Sequence, residues 1–251
     1  KLTGPSSAFK DIVFPLAIDG AIESAILRLQ DRLKELSGKP AESSRVTDLS
    51  ASYYDKNAEA YAAQTLFTDM SSLYAPFRSL LPQGGRILDA GCGVGRDTRY
   101  FIEHGYPVIS FDASIEMVKK CREYPHAYCL RLSFEDLDYQ EMFDGVWACA
   151  SLLHLNFDNA QRALGRLTNT LKPGGILFVS LRQSLNGRES EEVGERYYEY
   201  YTESKLEKLI ASDFRLEVER IWGSESNLKG DTGRWVNVLA HRRIDVKSID
   251  G

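Results

Sequence analysis

The chain has 251 residues, 43% hydrophobic and 27% charged, with a net charge of −5. That suits one globular α/β domain with a helical extension, and the acidic balance argues against nucleic acid, whose binding calls for a basic surface. The longest strongly apolar run, Val146 to Leu155, is about half a membrane span, and Lys1–Ser7 lacks the charged and apolar regions of a signal peptide, so the expected setting is the cytoplasm with no membrane partner.

The first 18 residues read as irregular, and the missing initiator Met suggests a fragment or a processed tag. Over residues 19–37, Ile22, Ile26, Leu29, Leu33 and Leu36 recur at helical spacing, and Gly38 with Pro40 ends the pattern. This seam would pack on its own domain. A homodimer contact or a joint to an upstream fused domain are the other readings. Residues 39–50 read as a polar, Ser-rich linker, which gives two parts: an N-terminal extension over 1–50 with one amphipathic helix and a main domain over 51–251. Helices are expected over Tyr54–Ala63 and Ser71–Leu81.

After Pro82 the pattern alternates. Strands are expected at Arg86–Asp89, Pro107–Phe111, Ala127–Leu130, Asp144–Cys149 and Ile176–Arg182. Helices fall at Gly95–His104, Ser114–Arg122 and Asn159–Leu171, the last stopped by Lys172-Pro173-Gly174-Gly175. A helix at Ser204–Ser212 and strands at Leu216–Trp222 and Trp235–Arg242 close the chain. Alternation of this kind builds a parallel sheet covered on both faces, and two final strands with no helix between them add an antiparallel edge. Of the four cysteines, Cys92, Cys121, Cys129 and Cys149, no pair has metal-ligand spacing; reduced thiols and no metal are expected.

The segment Leu88-Asp89-Ala90-Gly91-Cys92-Gly93-Val94-Gly95-Arg96 falls at a strand-to-helix turn, where glycines admit a ligand to the backbone and a helix N-terminus offers free N–H groups. A dinucleotide fingerprint would have its third glycine at Arg96. Asp89 would repel a pyrophosphate and attract an ammonium, so the turn suits a cationic aminoacyl ligand. Asp112 ends the second strand 21 residues after Gly91, the offset for ribose hydroxyls; an N-cap before Ser114 is the lesser reading. Phe134, Glu135 and Asp136 follow the third strand, where an aromatic and acids can flank an adenine; Phe134 also fits the core.

These residues, with Phe143-Asp144-Gly145-Val146-Trp147 and Leu171-Lys172-Pro173-Gly174-Gly175, resemble the class I S-adenosylmethionine-dependent methyltransferases over roughly residues 50–242. The entry Tyr53-Tyr54-Asp55-Lys56-Asn57-Ala58-Glu59-Ala60-Tyr61 resembles that of small tellurite-resistance-type and generic small-molecule members. The resemblance implies a Rossmann-like seven-stranded, mostly parallel sheet of order 3-2-1-4-5-7-6 with strand 7 antiparallel. It also implies S-adenosyl-L-methionine as cofactor, held by Tyr54, Tyr61, Asp89, Ala90, Gly91, Cys92, Gly93, Gly95, Arg96, Asp112, Ala113, Met117, Phe134, Glu135, Asp136, Ala150 and Ser151.

The reaction would be an in-line displacement onto a small O, N or S acceptor. His154, after the fourth strand, is the candidate general base, or else a structural or substrate-contact residue. Arg182, Arg188, Tyr197, Tyr198 and Trp235 are candidate acceptor contacts on the ligand side, although 182–201 also reads as a solvated acidic stretch. Cys149 lacks a Pro-Cys context, and no Asn/Asp-Pro-Pro-aromatic tetrad ends the fourth strand; both count against base methylation of DNA. Two further readings stand beside this one: a methyltransferase acting on RNA or protein, and a catalytically silent cofactor-binding or interaction module. An NAD-dependent oxidoreductase is opposed by Asp89 and Arg96.

Overall fold

The computed structural model describes residues 42–244. The seam at residues 19–37 lies outside them. Two helices open the described chain, α1 (Glu42–Thr65) and α2 (Ser71–Leu80). Residues 42–50, expected as linker, are helical: a helix once nucleated propagates at little cost, so the Ser-rich stretch continues the turns behind it.

The alternating region then runs β1 (Ile87–Ala90), α3 (Arg96–Glu103), β2 (Val108–Asp112), α4 (Ile115–Arg122), β3 (Tyr128–Arg131), β4 (Phe143–Cys149), α5 (Phe157–Thr170) and β5 (Leu171–Arg182). A hairpin, β6 (Ser190–Val193) and β7 (Arg196–Glu199), precedes α6 (Glu203–Ala211), β8 (Leu216–Glu225) and β9 (Arg234–Arg242). The main sheet has seven strands in the order β3-β2-β1-β4-β5-β9-β8. Strands β1 to β5 pair in parallel, and β9 runs antiparallel to both β5 and β8. With β8 and β9 as sixth and seventh strands, this is the expected order and orientation.

The central strands lack a polar face because both their faces are covered. Residues 87–90 are all buried. On one face Trp147 stacks on Phe178 at 3.9 Å and meets Phe77 of α2 and Phe101 of α3 at 5.1 and 5.3 Å. Val146 and Ala148, also fully buried, turn to the other face by the strand's period of two. The apolar stripe of α5, Ala160, Ala163, Leu164 and Leu167, is buried as well.

Two expectations change. Lys172-Pro173-Gly174-Gly175 lies inside β5: Leu171 pairs with Phe143 and Ile176 with Gly145, so the intervening residues form a bulge rather than a separate turn. Residues 190–199, within the stretch read as acceptor contacts or as a solvated acidic segment and assigned no strand, form the two-stranded hairpin. Its Glu195 meets Lys56 of α1 at 2.6 Å and its Arg196 lies 4.0 Å above the Tyr53 ring. A hairpin this short is marginal alone, so its stability comes from α1, a neighbour more than 130 residues away.

Candidate active site

A cleft of about 1340 Å³, counting its open mouth, lies beyond the carboxyl ends of β1, β2 and β4. Its floor is the turn after β1. Gly91 has φ +76°, and a β-carbon there would sit 2.4 Å from the Ser151 Cβ, so only glycine fits. Gly95, with φ +84°, caps α3 against Cys121 in the same way. Gly93 N donates to Asp112 Oδ2 and Ser114 N to Asp112 Oδ1, both at 2.9 Å. Burial raises the Asp112 carboxyl to about 6.

Helix α1 covers this floor. Asp55 Oδ1 accepts from Ser114 Oγ at 2.5 Å and from Glu116 N at 3.1 Å, which ties the helix to the start of α4. Tyr54 and Tyr61 meet edge to face at 5.2 Å and both line the cleft. Opposite them Ala150, at the end of β4, holds φ +57°, a left-handed conformation costly for a residue with a side chain. Ser151 Oγ is buried with no hydrogen-bond partner.

His154 stands at the rim. Its Nδ1 lies 2.8 Å from the Tyr197 carbonyl oxygen, which can only accept, so Nδ1 carries the proton. Nε2 is then the acceptor for the Tyr54 hydroxyl at 2.9 Å. Burial lowers its pKa to about 4, so the ring is neutral at neutral pH. A second chamber adjoins the first and shares Tyr54, Tyr61, Ala150, His154 and Trp235 with it. Its other walls include Tyr53, Tyr198, Tyr200, Arg196 and the pair formed by Arg182 with Asp231. Arg182 donates to both Asp231 oxygens, at 2.7 and 2.8 Å, and lies 5.4 Å from the Trp235 ring.

Of the expected cofactor contacts, Tyr54, Tyr61, Gly91, Cys92, Gly93, Arg96, Asp112, Ala113, Met117, Phe134, Ala150 and Ser151 line the cleft. Asp89 does not. Its side chain is 2% exposed, its Oδ2 accepts from Thr98 Oγ1 at 2.6 Å, and burial raises its pKa. The carboxylate expected to face an ammonium instead anchors α3 from beneath, because its strand position points it into the sheet–helix packing.

Ala90 and Gly95 likewise shape the turn without lining the cleft. Glu135 is exposed, and Asp136 is spent on a capping box with Ser133. Among the acceptor candidates, Arg182, Tyr198 and Trp235 line the second chamber. Tyr197 contributes its carbonyl to His154, and Arg188 pairs with Glu191 on the exposed side.

Three residues at the site were not singled out from the sequence. Asp97 lines the cleft and is held by Arg96 Nε at 2.6 Å, Trp147 Nε1 at 2.8 Å and the Tyr74 hydroxyl. Arg196 sits over Tyr53 and 5.2 Å from the Tyr198 ring centre. Asp231 fixes Arg182. Position +2 from the third glycine was a usable signal for Asp97; the other two lie in segments without a motif.

Residues 87–175 match a family model described as a methyltransferase domain. The malonyl-[acyl-carrier protein] O-methyltransferase of Salmonella typhimurium is 30% identical over 53% of this chain and 51% of its own length. An S-adenosyl-L-methionine-dependent Diels–Alderase of Talaromyces variabilis is 33% identical over 38% of this chain and 35% of its own. The chain thus spans about half or less of the length of these curated relatives. Among solved structures, the 1,6-didemethyltoxoflavin-N1-methyltransferase of Burkholderia thailandensis, with 1,6-didemethyltoxoflavin and S-adenosylhomocysteine bound, superposes with a TM-score of 0.69 at 20% identity. That likeness covers 83% of this chain and 93% of the other. No helix among the described residues is long and apolar enough to cross a membrane.

Proposed function

We propose that this chain, which belongs to the class I S-adenosylmethionine-dependent methyltransferases, moves a methyl group from that cofactor to a small, flat, partly aromatic acceptor held in the second chamber. One observation carries the reading: two chambers meet at Tyr54, Ala150 and His154, one walled by the glycine turn and Asp112, the other by tyrosines, a tryptophan and arginines.

The residues present fit the cofactor. Gly91 and Gly93 present bare backbone to the cleft, Ser151 Oγ is a buried hydroxyl awaiting a partner, and Asp112 retains lone pairs for a ribose diol. Phe134 and Met117 offer an apolar slot to a flat base, and the rings of Tyr54 and Tyr61 offer electron-rich faces to a cation. Arg96 takes the methionine carboxylate, with Asp97 as its counter-charge. When bound, the cofactor supplies an electrophilic methyl with its leaving group already activated.

The chain's own part is then placement. Aligning two reactants is worth about 7–11 kcal/mol. His154 acts as a positioning residue: a neutral ring with a pKa near 4 is a weak base, but its Nε2 fixes the Tyr54 hydroxyl at the junction. The acceptor enters under the β6–β7 hairpin and stacks on Tyr198 and Trp235.

A second reading has one specific support, the Diels–Alderase among the relatives: the fold would hold the cofactor and catalyse another reaction in the same chamber. An RNA or protein acceptor finds less support, given the net charge of −5. The test incubates the chain with methyl-labelled cofactor and a fractionated metabolite extract, beside calorimetry with S-adenosylhomocysteine and NAD. Label in the small-molecule fraction is expected. Homocysteine-nucleoside binding with no transfer favours the second reading, and binding of NAD alone overturns both. His154→Ala is expected to lower kcat about tenfold without moving the acid limb of the pH–rate profile; loss of that limb would make His154 the base.

A further inference from the structure

Three cysteines, far apart in sequence, meet behind the glycine turn. Cys92 lies between Gly91 and Gly93, Cys121 is in the last turn of α4 and Cys129 is on β3. Their sulfurs all lie within 4.8 Å of one another, with Cys92 Sγ and Cys129 Sγ 3.3 Å apart. Cys121 and Cys129 are buried, and Cys92 also lines the cleft. The fourth cysteine, Cys149, is not part of the group; its Sγ lies 3.8 Å from Arg96 Nη2.

We infer that Cys92, Cys121 and Cys129 form a three-thiolate site for a soft divalent cation of the zinc class. Sulfurs bound tetrahedrally at about 2.3 Å from such an ion are separated by roughly 3.8 Å. The Cys92–Cys129 pair is about half an ångström short of that value and no pair exceeds 4.8 Å, so binding needs small sulfur shifts rather than a rearranged backbone. Thiolates select soft cations over magnesium or calcium. The ion enters from the cleft, past Cys92. Three S–H bonds break, three protons pass to solvent and three sulfur–metal bonds form, leaving a net charge of −1. The Arg122 guanidinium, whose Nε donates to the Cys129 carbonyl at 2.8 Å, stands beside it to offset that charge. The fourth coordination position faces the cleft and is open to water or an exogenous thiol.

The site is coupled to the cofactor floor by the chain itself. Gly91 N and Cys92 N donate to the Phe111 carbonyl at 2.9 Å, and Gly93 N donates to Asp112. Seating an ion moves the Cys92 and Cys129 sulfurs apart, from 3.3 Å toward roughly 3.8 Å, and disturbs these bonds, so metal weakens the nucleoside ligand, and by reciprocity the ligand weakens metal.

Cadmium serves as an optical stand-in for zinc, because thiolate-to-metal charge transfer gives it ultraviolet absorption. Titrating the reduced full chain anaerobically is expected to give one ion per chain, by absorption and by native mass spectrometry. Cys92→Ser, Cys121→Ser and Cys129→Ser should each weaken binding by more than tenfold, and Cys149→Ser by less than twofold. In the unaltered chain, cadmium should protect Cys92 from alkylation and leave Cys149 reactive, a readout independent of whether the serine variants fold. Saturating metal should weaken S-adenosylhomocysteine at least fivefold. No charge-transfer band, or binding that survives loss of each of the three, overturns the site. Equal nucleoside affinity with and without metal overturns the coupling. The titration itself uses no nucleoside, so a chain that bound none would still test the site.

Discussion

The floor of the first cleft and the walls of the second chamber are built in different ways. The floor comes from consecutive chain, residues 87–151, in which strand ends and glycines with positive φ set the backbone directly. The second chamber is assembled from α1, the β6–β7 hairpin and the residues before β9; α1 is more than a hundred residues from the other two and meets the hairpin through side chains. The floor can therefore persist while the acceptor changes, since altering the chamber does not touch the turn. On the proposed reading, specificity belongs to the part with least local instruction.

Gly91→Ala should break that distinction most severely. A methyl group 2.4 Å from the Ser151 Cβ, at φ +76°, should reduce S-adenosylhomocysteine affinity more than a hundredfold, read by calorimetry. Normal affinity would mean that the turn is not the floor. Asp112→Asn should cost about tenfold at pH 8. It should also flatten a pH dependence present in the unaltered chain, where affinity falls as Asp112 takes up a proton below about pH 6 and stops accepting from a diol. On folding the sign is opposite. The folded chain holds that proton more tightly than the unfolded one, so this group's contribution to stability declines as pH rises from the ordinary carboxylate range to about 6.

Arg182→Ala should raise the acceptor KM about fivefold to tenfold and leave cofactor affinity within twofold, because the residue borders only the second chamber. Asp89→Asn, the mildest of these, should change cofactor affinity less than threefold. It should act on the melting temperature instead, through a buried hydrogen bond worth about 1 kcal/mol. A tenfold loss of affinity would restore Asp89 as a ligand contact.

Asp89 also shows how far the sequence could be read. Its place two residues before a glycine was informative about the turn, yet the side chain serves Thr98 and not the cleft. The pattern identifies a local conformation; which way a carboxylate points depends on packing from α3. The parallel strands were legible because they are short, largely apolar runs set between helical patterns, while their order came from the family resemblance; the short Ala127–Leu130 segment was found within one residue of β3.

The hairpin was not legible. Its strands, Ser-Glu-Glu-Val and Arg-Tyr-Tyr-Glu, carry little apolar alternation and depend on Tyr53 and Lys56 for support. The acceptor candidates in and just before it were accordingly split, with Tyr198 at the chamber and Arg188 away from it. The cysteine group escaped for a related reason: its members are 29 and 8 residues apart, on a turn, a helix and a strand, and only the parallel packing of β1, β2 and β3 brings them together.

The contact between Asp55 and the first turn of α4 carries a kinetic meaning. A cover fastened over a deep cleft must lift for a spent nucleoside to depart, so the two bonds from Ser114 and Glu116 are a latch on the exit. Turnover would then be governed by how often that latch opens, and a chain with alanine at residue 55 would release its by-product sooner while gripping it less.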